Sequence, residues 1–252
     1  MPRIPDWRSY QLEVLYEDNH LLAVNKPAGL PTMGTPADKL TLLDLAKQYV
    51  KQRCGKPGNV YLGVMSRLDA PVTGVVLLAR TSKAARRLTE QFRAHAVEKV
   101  YWALVEGRIE PPAAECLDWI AHTDRHRKMV IVAAGSAGGK EARLAYRRIE
   151  ARDADSLVEV RLETGRKHQI RLQMARRGHP IVGDRKYGSG REFAAGIALH
   201  ARRLLVTHPT RGTPVELVAP LPPAWRKQGI ADPPTPASDA PGTCPPGESR
   251  LT

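Results

Sequence analysis

Cysteine is scarce in this 252-residue chain, with only Cys54, Cys116 and Cys244, widely scattered. They form neither a disulfide framework nor a CxxC pair, which excludes a stapled secreted scaffold and the commonest thiol-based metal and redox motifs. Long apolar runs are missing too. The longest, Val75-Val76-Leu77-Leu78-Ala79, is far too short to cross a bilayer. The opening residues, Met1-Pro2-Arg3-Ile4-Pro5-Asp6-Trp7, have no apolar signal core. Acidic residues are the third shortage: 26 Asp+Glu stand against 39 Lys+Arg, a formal net charge of +13. The 42% hydrophobic content is nevertheless ordinary for a globular protein and too high for a disordered one. The expectation is a protein of the reducing cytoplasm, with no membrane association and a polyanionic partner.

The charge is unevenly placed. From Ala231 onward the chain carries six prolines, three acids, one base and almost nothing apolar, which predicts a disordered extension. Without it, 38 bases face 23 acids, so the body carries +15. Its bases cluster at Arg125-His126-Arg127-Lys128, Arg147-Arg148, Arg166-Lys167-His168 with Arg171, Arg176-Arg177, Arg185-Lys186 and Arg202-Arg203. Clusters this numerous in one half of a domain point to a surface that tracks phosphates. The expected organisation is an extension over 1–11, a folded domain over 12–225 and a proline-rich tail over 226–252.

Periodicity supplies the elements. Strands are expected at Leu12–Tyr16 and His20–Asn25, with a turn at Glu17-Asp18-Asn19 and irregular chain at Lys26–Pro31. Thr41 and Asp44 form a capping box for a helix whose apolar face is Leu42, Leu45, Ala46 and Tyr49. Val75–Ala79 suits a buried central strand, and Ser82 is placed to cap a second helix with Leu88 and Phe92 facing inward. Further strands are expected at Val100–Val105, Met129–Ala133, Arg143–Glu150, Leu157–Glu163, Leu204–Thr207 and Thr213–Val218. A helix is expected over Lys167–Arg177, closed by Gly178. Strands and helices follow in irregular order, so an α+β fold with a mainly antiparallel sheet is predicted.

Several chemistries can be set aside. Gly135-Ser136-Ala137-Gly138-Gly139-Lys140 lacks both the first glycine and the Ser/Thr of a phosphate loop, and reads as a flexible hairpin loop. His122 and His126 stand four apart without Glu or Cys to complete a zinc set, so no metal is expected. No GxSxG elbow is present. What remains is Gly63–Gly74, where Arg67 and Asp69, two apart in extended chain, share a face while Leu68 anchors beneath. From these residues alone, an Asp satisfied by turn amides serves as well as a reactive one.

Taken in chain order, several segments resemble the RluA-type pseudouridine synthases, which isomerise uridine within structured RNA. They are Val24–Leu30, Arg67-Leu68-Asp69 with Gly74, Lys99–Gly107, Thr164–Arg171, Gly178–Gly188, Leu199-His200-Ala201 and Ala219–Pro222. Together they cover about residues 12–225. The resemblance implies a mixed domain on a long, mostly antiparallel sheet crossed by the active-site cleft. It implies that Asp69 is the catalytic aspartate, acting without a cofactor as nucleophile at C1′ or as base toward a ribose proton. Desolvation around a flipped base would raise its pKa, and Arg171 is the matching cation that offsets this. Tyr101 matches the tyrosine that stacks on uracil, with Trp102 a core residue.

Arg67 is expected to fill the gap left by the flipped nucleotide, and Arg166, Lys167 and His168 to contact phosphate. His179-Pro180 and Asp184 are expected to fix a turn. Three positions depart from the family pattern: Ser66 where His is usual, Val72 where a hydroxyl is usual, and Gln173 where His is common. The catalytic domain is expected to select its target without the small N-terminal RNA-binding domain that many relatives carry. The expected partner is rRNA or tRNA, and the expected state is a monomer. From a different class, a non-catalytic RNA-binding or RNA-folding protein on the same scaffold is the alternative. A glycosidase lacks a second acid in a recognisable context.

Overall fold

The computed structural model describes residues 10–34, 39–55, 58–123 and 128–232. Arg125, His126 and Arg127, and the tail from 233 on, lie outside the described residues. Among the described residues, eleven strands join in one sheet with four helices, an α+β fold as expected. No helix among them is long and apolar enough to cross a membrane.

The chain opens with an antiparallel pair, β1 (Val14–Glu17) and β2 (Leu21–Lys26), joined by a turn in which Asp18 accepts the His20 and Leu21 amides. Helix α1 (Leu42–Cys54) starts at the predicted Thr41–Asp44 capping box. Its innermost residues are Leu42, Leu45, Ala46 and Val50. Tyr49 is only half-buried, and its hydroxyl donates to Glu17 Oε2 at 2.8 Å. Short β3 (Gly63–Val64) and fully buried β4 (Thr73–Ala79) follow. The cap of α2 (Ser82–Arg93) is Thr81, not Ser82, because Ser82 already lies in the first turn and it is the Thr81 hydroxyl that accepts the Ala84 amide.

The second half contributes β5 (Glu98–Glu106), β6 (Ala113–Thr123), β7 (Lys128–Val132), β8 (Lys140–Ala151) and β9 (Asp155–Leu162). Then come α3 (Gln169–Arg176), β10 (Leu199–Thr207), β11 (Pro214–Val218) and the short α4 (Pro223–Arg226). Strand β6 is the element that periodicity does not disclose: Glu115 and Asp118 interrupt its apolar pattern, and Asp118 is used by residues of α3 and its C-terminus. The 133–139 segment is not a hairpin, because β7 and β8 each pair with β6 on opposite sides and the loop must cross over. Helix α3 begins two residues later than predicted, since His168 takes a left-handed φ of 58°. The packed chain also continues past residue 225. Trp225 and Ile230 are buried, and Asp232 accepts the Leu221 amide and pairs with Arg202 at 3.0 Å.

Sheet order is β1-β2-β4-β10-β5-β9-β8-β6-β7, with β3 beside β4 and β11 beside β10. Every pairing is antiparallel except β4 with β10, which meet over only Thr73↔His200 and Gly74↔Ala201. Beyond that seam the two strands diverge, β4 toward β3 and β10 toward β11. The β3–β4 loop, which carries Asp69, therefore opens at the centre of the sheet. Gly74, at φ 115°, is required there: a Cβ would overlap the Ala201 backbone.

His200 ties the seam. Its Nδ1 lies 2.8 Å from Thr73 Oγ1 and its Nε2 3.2 Å from the Ala219 carbonyl, so Nε2–H donates and Nδ1 accepts. The ring is wholly buried, and burial pushes its pKa down to about 4. The unfolded chain therefore takes up a proton near pH 6.5 that the folded seam resists until about pH 4. Stability from this ring is fully present above about pH 6.5 and is lost as pH falls toward 4. Urea unfolding should show wild type losing about 2 kcal/mol more than His200→Gln between roughly pH 7 and pH 5. Equal losses in the two proteins would remove His200 as the cause.

Candidate active site

The loop bearing Asp69 is held at successive carbonyls. Leu68 O accepts the Thr32 hydroxyl at 2.8 Å, and Asp69 O accepts the Val72 amide at 3.0 Å. Ala70 O accepts the Gly29 amide at 2.8 Å and Lys26 Nζ at 3.0 Å, and Pro71 O accepts the Ile197 amide at 3.2 Å. With its backbone groups spoken for, the loop has little freedom to turn the Asp69 side chain. Lys26 carries no role in the sequence-based expectations. It is wholly buried, and its ammonium also donates to Pro27 O and Leu30 O. Burial pulls its pKa down to about 7 against the opposing charge of Asp69, while three carbonyl acceptors match the three N–H bonds of the charged form.

Asp69 opens into a cavity of about 400 Å³, within the usual range for small-molecule sites. Arg67 lines the same cavity, as the two-residue spacing predicts, while Leu68 is buried beneath. Across it stand Tyr101 from β5 and Arg171 from α3, so the three residues assigned by resemblance meet in one place. Val72, Leu162 and Leu199 add apolar wall. The Tyr101 hydroxyl has no hydrogen-bond partner among the described residues. Burial, with the Asp69 charge adding, pushes its pKa up to about 12, so it remains a phenol at neutral pH.

Arg171 is the hub. Its Nη1 donates to Asp69 Oδ2 at 2.8 Å, while Nε and Nη2 grip Asp184 at 2.7 and 2.9 Å. Burial works against the charged guanidinium, but its bonds to Asp184 and Asp69 outweigh that and raise its pKa. Asp184, expected only to fix a turn, is thus also the buried counter-ion that aims Arg171. The Tyr187 ring stacks on the guanidinium, 5.0 Å from centroid to Cζ. His179, expected to fix a turn, bonds the Glu106 carbonyl at the end of β5 at 2.9 Å.

The bases sort differently from their clustering in sequence. Arg147 pairs with Glu159, Arg148 with Glu110, Arg177 with Asp118, Arg185 with Glu192, Arg202 with Asp232 and Arg203 with Glu98 and Glu216. These are largely neutralised on the protein itself, contrary to the expectation that clustered bases make one phosphate surface. Around the cavity, Arg67 and Lys167 are exposed with no carboxylate partner among the described residues, and Arg166 donates only to the Glu141 carbonyl. His168 does not share their outward position. Its side chain is 8% exposed, and Nε2 points to Asp69 Oδ2 at 3.5 Å.

The departures from the family pattern are absorbed structurally. Ser66 Oγ accepts the Leu77 amide at 2.9 Å. The buried Gln173 amide ties α3 to Cys116 O and Ala142 O in neighbouring strands and to Asp118.

Comparison with known proteins gives the family and the fold. The RNA pseudouridylate synthase family model matches residues 20–176. Ribosomal large subunit pseudouridine synthase D of Xylella fastidiosa is 36% identical over 228 residues, 84% of this chain and 66% of its own. The tRNA pseudouridine synthase C of Yersinia pestis is 35% identical over 85% of this chain and 88% of its own. Among solved structures, human RNA pseudouridylate synthase domain containing 4 superposes with a TM-score of 0.72 at 27% identity, over 88% of this chain and 94% of that one. By sequence and by fold, this chain belongs to the RNA pseudouridylate synthase family, in its RluA-type branch.

Proposed function

We propose that this protein converts a uridine of structured ribosomal or transfer RNA to pseudouridine, with Asp69, Tyr101 and Arg171 as its catalytic set. The observation that carries the reading is the Arg171–Asp69 ion pair in a cavity walled by Val72, Leu162 and Leu199 and bordered by the bases Arg67, Arg166 and Lys167. The reaction cleaves N1–C1′, turns the uracil, joins C5 to C1′ and releases the C5 hydrogen as a proton, while N1 takes up a proton from solvent. Atoms balance without an added reactant. Both routes open to the carboxylate, addition at C1′ and removal of a ribose proton, require it ionised. Arg171 supplies the charge that keeps it so when a flipped base excludes water. Tyr101 offers an aromatic face for the unstacked uracil. Arg67 occupies the mouth, placed to fill the space the nucleotide leaves, while Arg166 and Lys167 meet phosphates.

Asp69→Asn should abolish tritium release from RNA labelled with 5-tritiated uridine while leaving RNA affinity within a few-fold. Full turnover by this variant would overturn the assignment. An inactive wild type that still binds RNA would instead favour an RNA-folding role.

Arg171 serves two carboxylates, so its loss has two consequences. Arg171→Met should remove turnover and also cost about 3–5 kcal/mol of stability, because Asp184 is left buried and unpaired. Adding Asp184→Asn should recover much of that stability in urea titrations without restoring turnover. If Arg171→Met unfolded like wild type, the Asp184 clamp would not be structural.

Replacing Arg166 and Lys167 by Ala should weaken RNA binding and flatten its salt dependence, by about 0.7–0.9 in log–log slope for each phosphate no longer neutralised. An unchanged slope would take them off the phosphate path.

A further inference from the structure

Resting on the catalytic reading of Asp69, we propose that His168 is a positioning residue: its Nε2–H, fixed by Tyr187, holds Asp69 Oδ2 alongside Arg171, so that Oδ1 is the oxygen presented to the flipped nucleoside.

Both groups that address the carboxylate approach the same atom, Arg171 Nη1 at 2.8 Å and His168 Nε2 at 3.5 Å, and both approach Oδ2. Oδ1 has no protein hydrogen bond among the described residues. The backbone is arranged to bring the imidazole there. His168 adopts φ 58°, a left-handed conformation that residues with a Cβ seldom take, and this turns the ring inward while Lys167 faces solvent.

The tautomer follows from the neighbours. Nδ1 lies 2.6 Å from the Tyr187 hydroxyl. A carboxylate oxygen can only accept, so the nitrogen facing Asp69 is the protonated one and Nδ1 accepts from the phenol. The imidazole proton is then on Nε2, facing the carboxylate. The opposite tautomer would aim a lone pair at a carboxylate oxygen. Burial pushes the Tyr187 pKa up to about 12, so the phenol keeps the proton it donates. The rings meet edge to face, 5.6 Å apart at 75°, and the same Tyr187 ring carries the Arg171 guanidinium. Tyr187 thus orients both groups that grip Oδ2.

The charged groups facing His168 are Asp69 from the β3–β4 loop, Arg171 from α3, Lys167 beside it, and Lys186 from the 185–187 turn. Burial pushes its pKa down to about 4 against the pull of Asp69, with the three cations adding. The ring is therefore an uncharged donor at neutral pH. At 3.5 Å the contact is long for a hydrogen bond, and such contacts commonly tighten when substrate closes a site.

The test measures single-turnover tritium release and RNA affinity separately, using the full chain and total RNA labelled with 5-tritiated uridine from cells lacking this gene. His168→Asn accepts the positive φ and still reaches toward Tyr187, but has no group at the Nε2 position. It should slow turnover about tenfold, with affinity and its salt slope unchanged. His168→Gln, whose amide nitrogen reaches that position, should restore most of the rate. Tyr187→Phe, which frees the tautomer, should fall between wild type and His168→Asn. A loss confined to affinity and salt slope would make His168 a phosphate contact and overturn the proposal. A Gln variant no faster than Asn would overturn it as well, leaving the ring a space-filler. Asp69→Asn is measured in parallel. If it stayed active, the catalytic reading itself would fail; if it were inactive while His168→Asn turned over normally, only the His168 proposal would.

Discussion

The Arg171 guanidinium, gripped in a fork by buried Asp184 and reaching Asp69 with its remaining Nη1, is the interaction around which the cavity is organised. A lone cation near a carboxylate could swing toward solvent and give up the pairing. Here two of the three nitrogens are committed to an acid that is itself wholly buried, so the third has one direction left. Tyr187 covers the planar face of the guanidinium and also holds His168, so one ring supports both side chains that approach the carboxylate oxygen. Desolvation by a bound base strengthens such an arrangement, because the pairing is built before the water leaves.

The carboxylate's own position depends on the seam between β4 and β10. Two residue pairs join these strands, and the loop that precedes β4 is fastened at the carbonyls of Leu68, Asp69, Ala70 and Pro71 by the 26–32 segment, by Val72 of the loop itself and by Ile197. Thr73 and Gly74, which close the loop, are the same residues that make the seam, with buried His200 bonded across it. Fold and site therefore share their supports. A change at His200 or Gly74 bears on the geometry at Asp69 although neither residue touches the cavity.

Charge is divided by pairing. Most arginines that cluster along the sequence are engaged with carboxylates, some on neighbouring strands and some in the connecting segments, at modest net gain. The exposed bases without carboxylate partners beside the cavity, Arg67, Arg166 and Lys167, are few. A net charge counts both kinds alike, and clustering in sequence does not separate them either, since carboxylate partners such as Glu110 and Glu159 arrive from distant parts of the chain.

Local pattern determined a good deal. The Thr41–Asp44 capping box, the apolar β4, the alternating strands of the second half and the resemblance that assigns Asp69, Tyr101 and Arg171 are all legible without coordinates, as is the α+β class. Elements whose polar residues serve distant partners were not. Strand β6 hides behind Glu115 and Asp118, and α3 starts late because His168 turns left-handed to face Asp69. Lys26, Asp184 and Tyr187 carry no local mark of their roles, because those roles consist of bonds to residues 13 to 44 positions away, or through a second side chain. A one-dimensional pattern records the chemistry a residue can offer. Which oxygen, carbonyl or ring receives it is set by the crossing of strands, and only the tertiary structure decided that Arg171 answers to two acids and that His168 faces the carboxylate instead of the solvent.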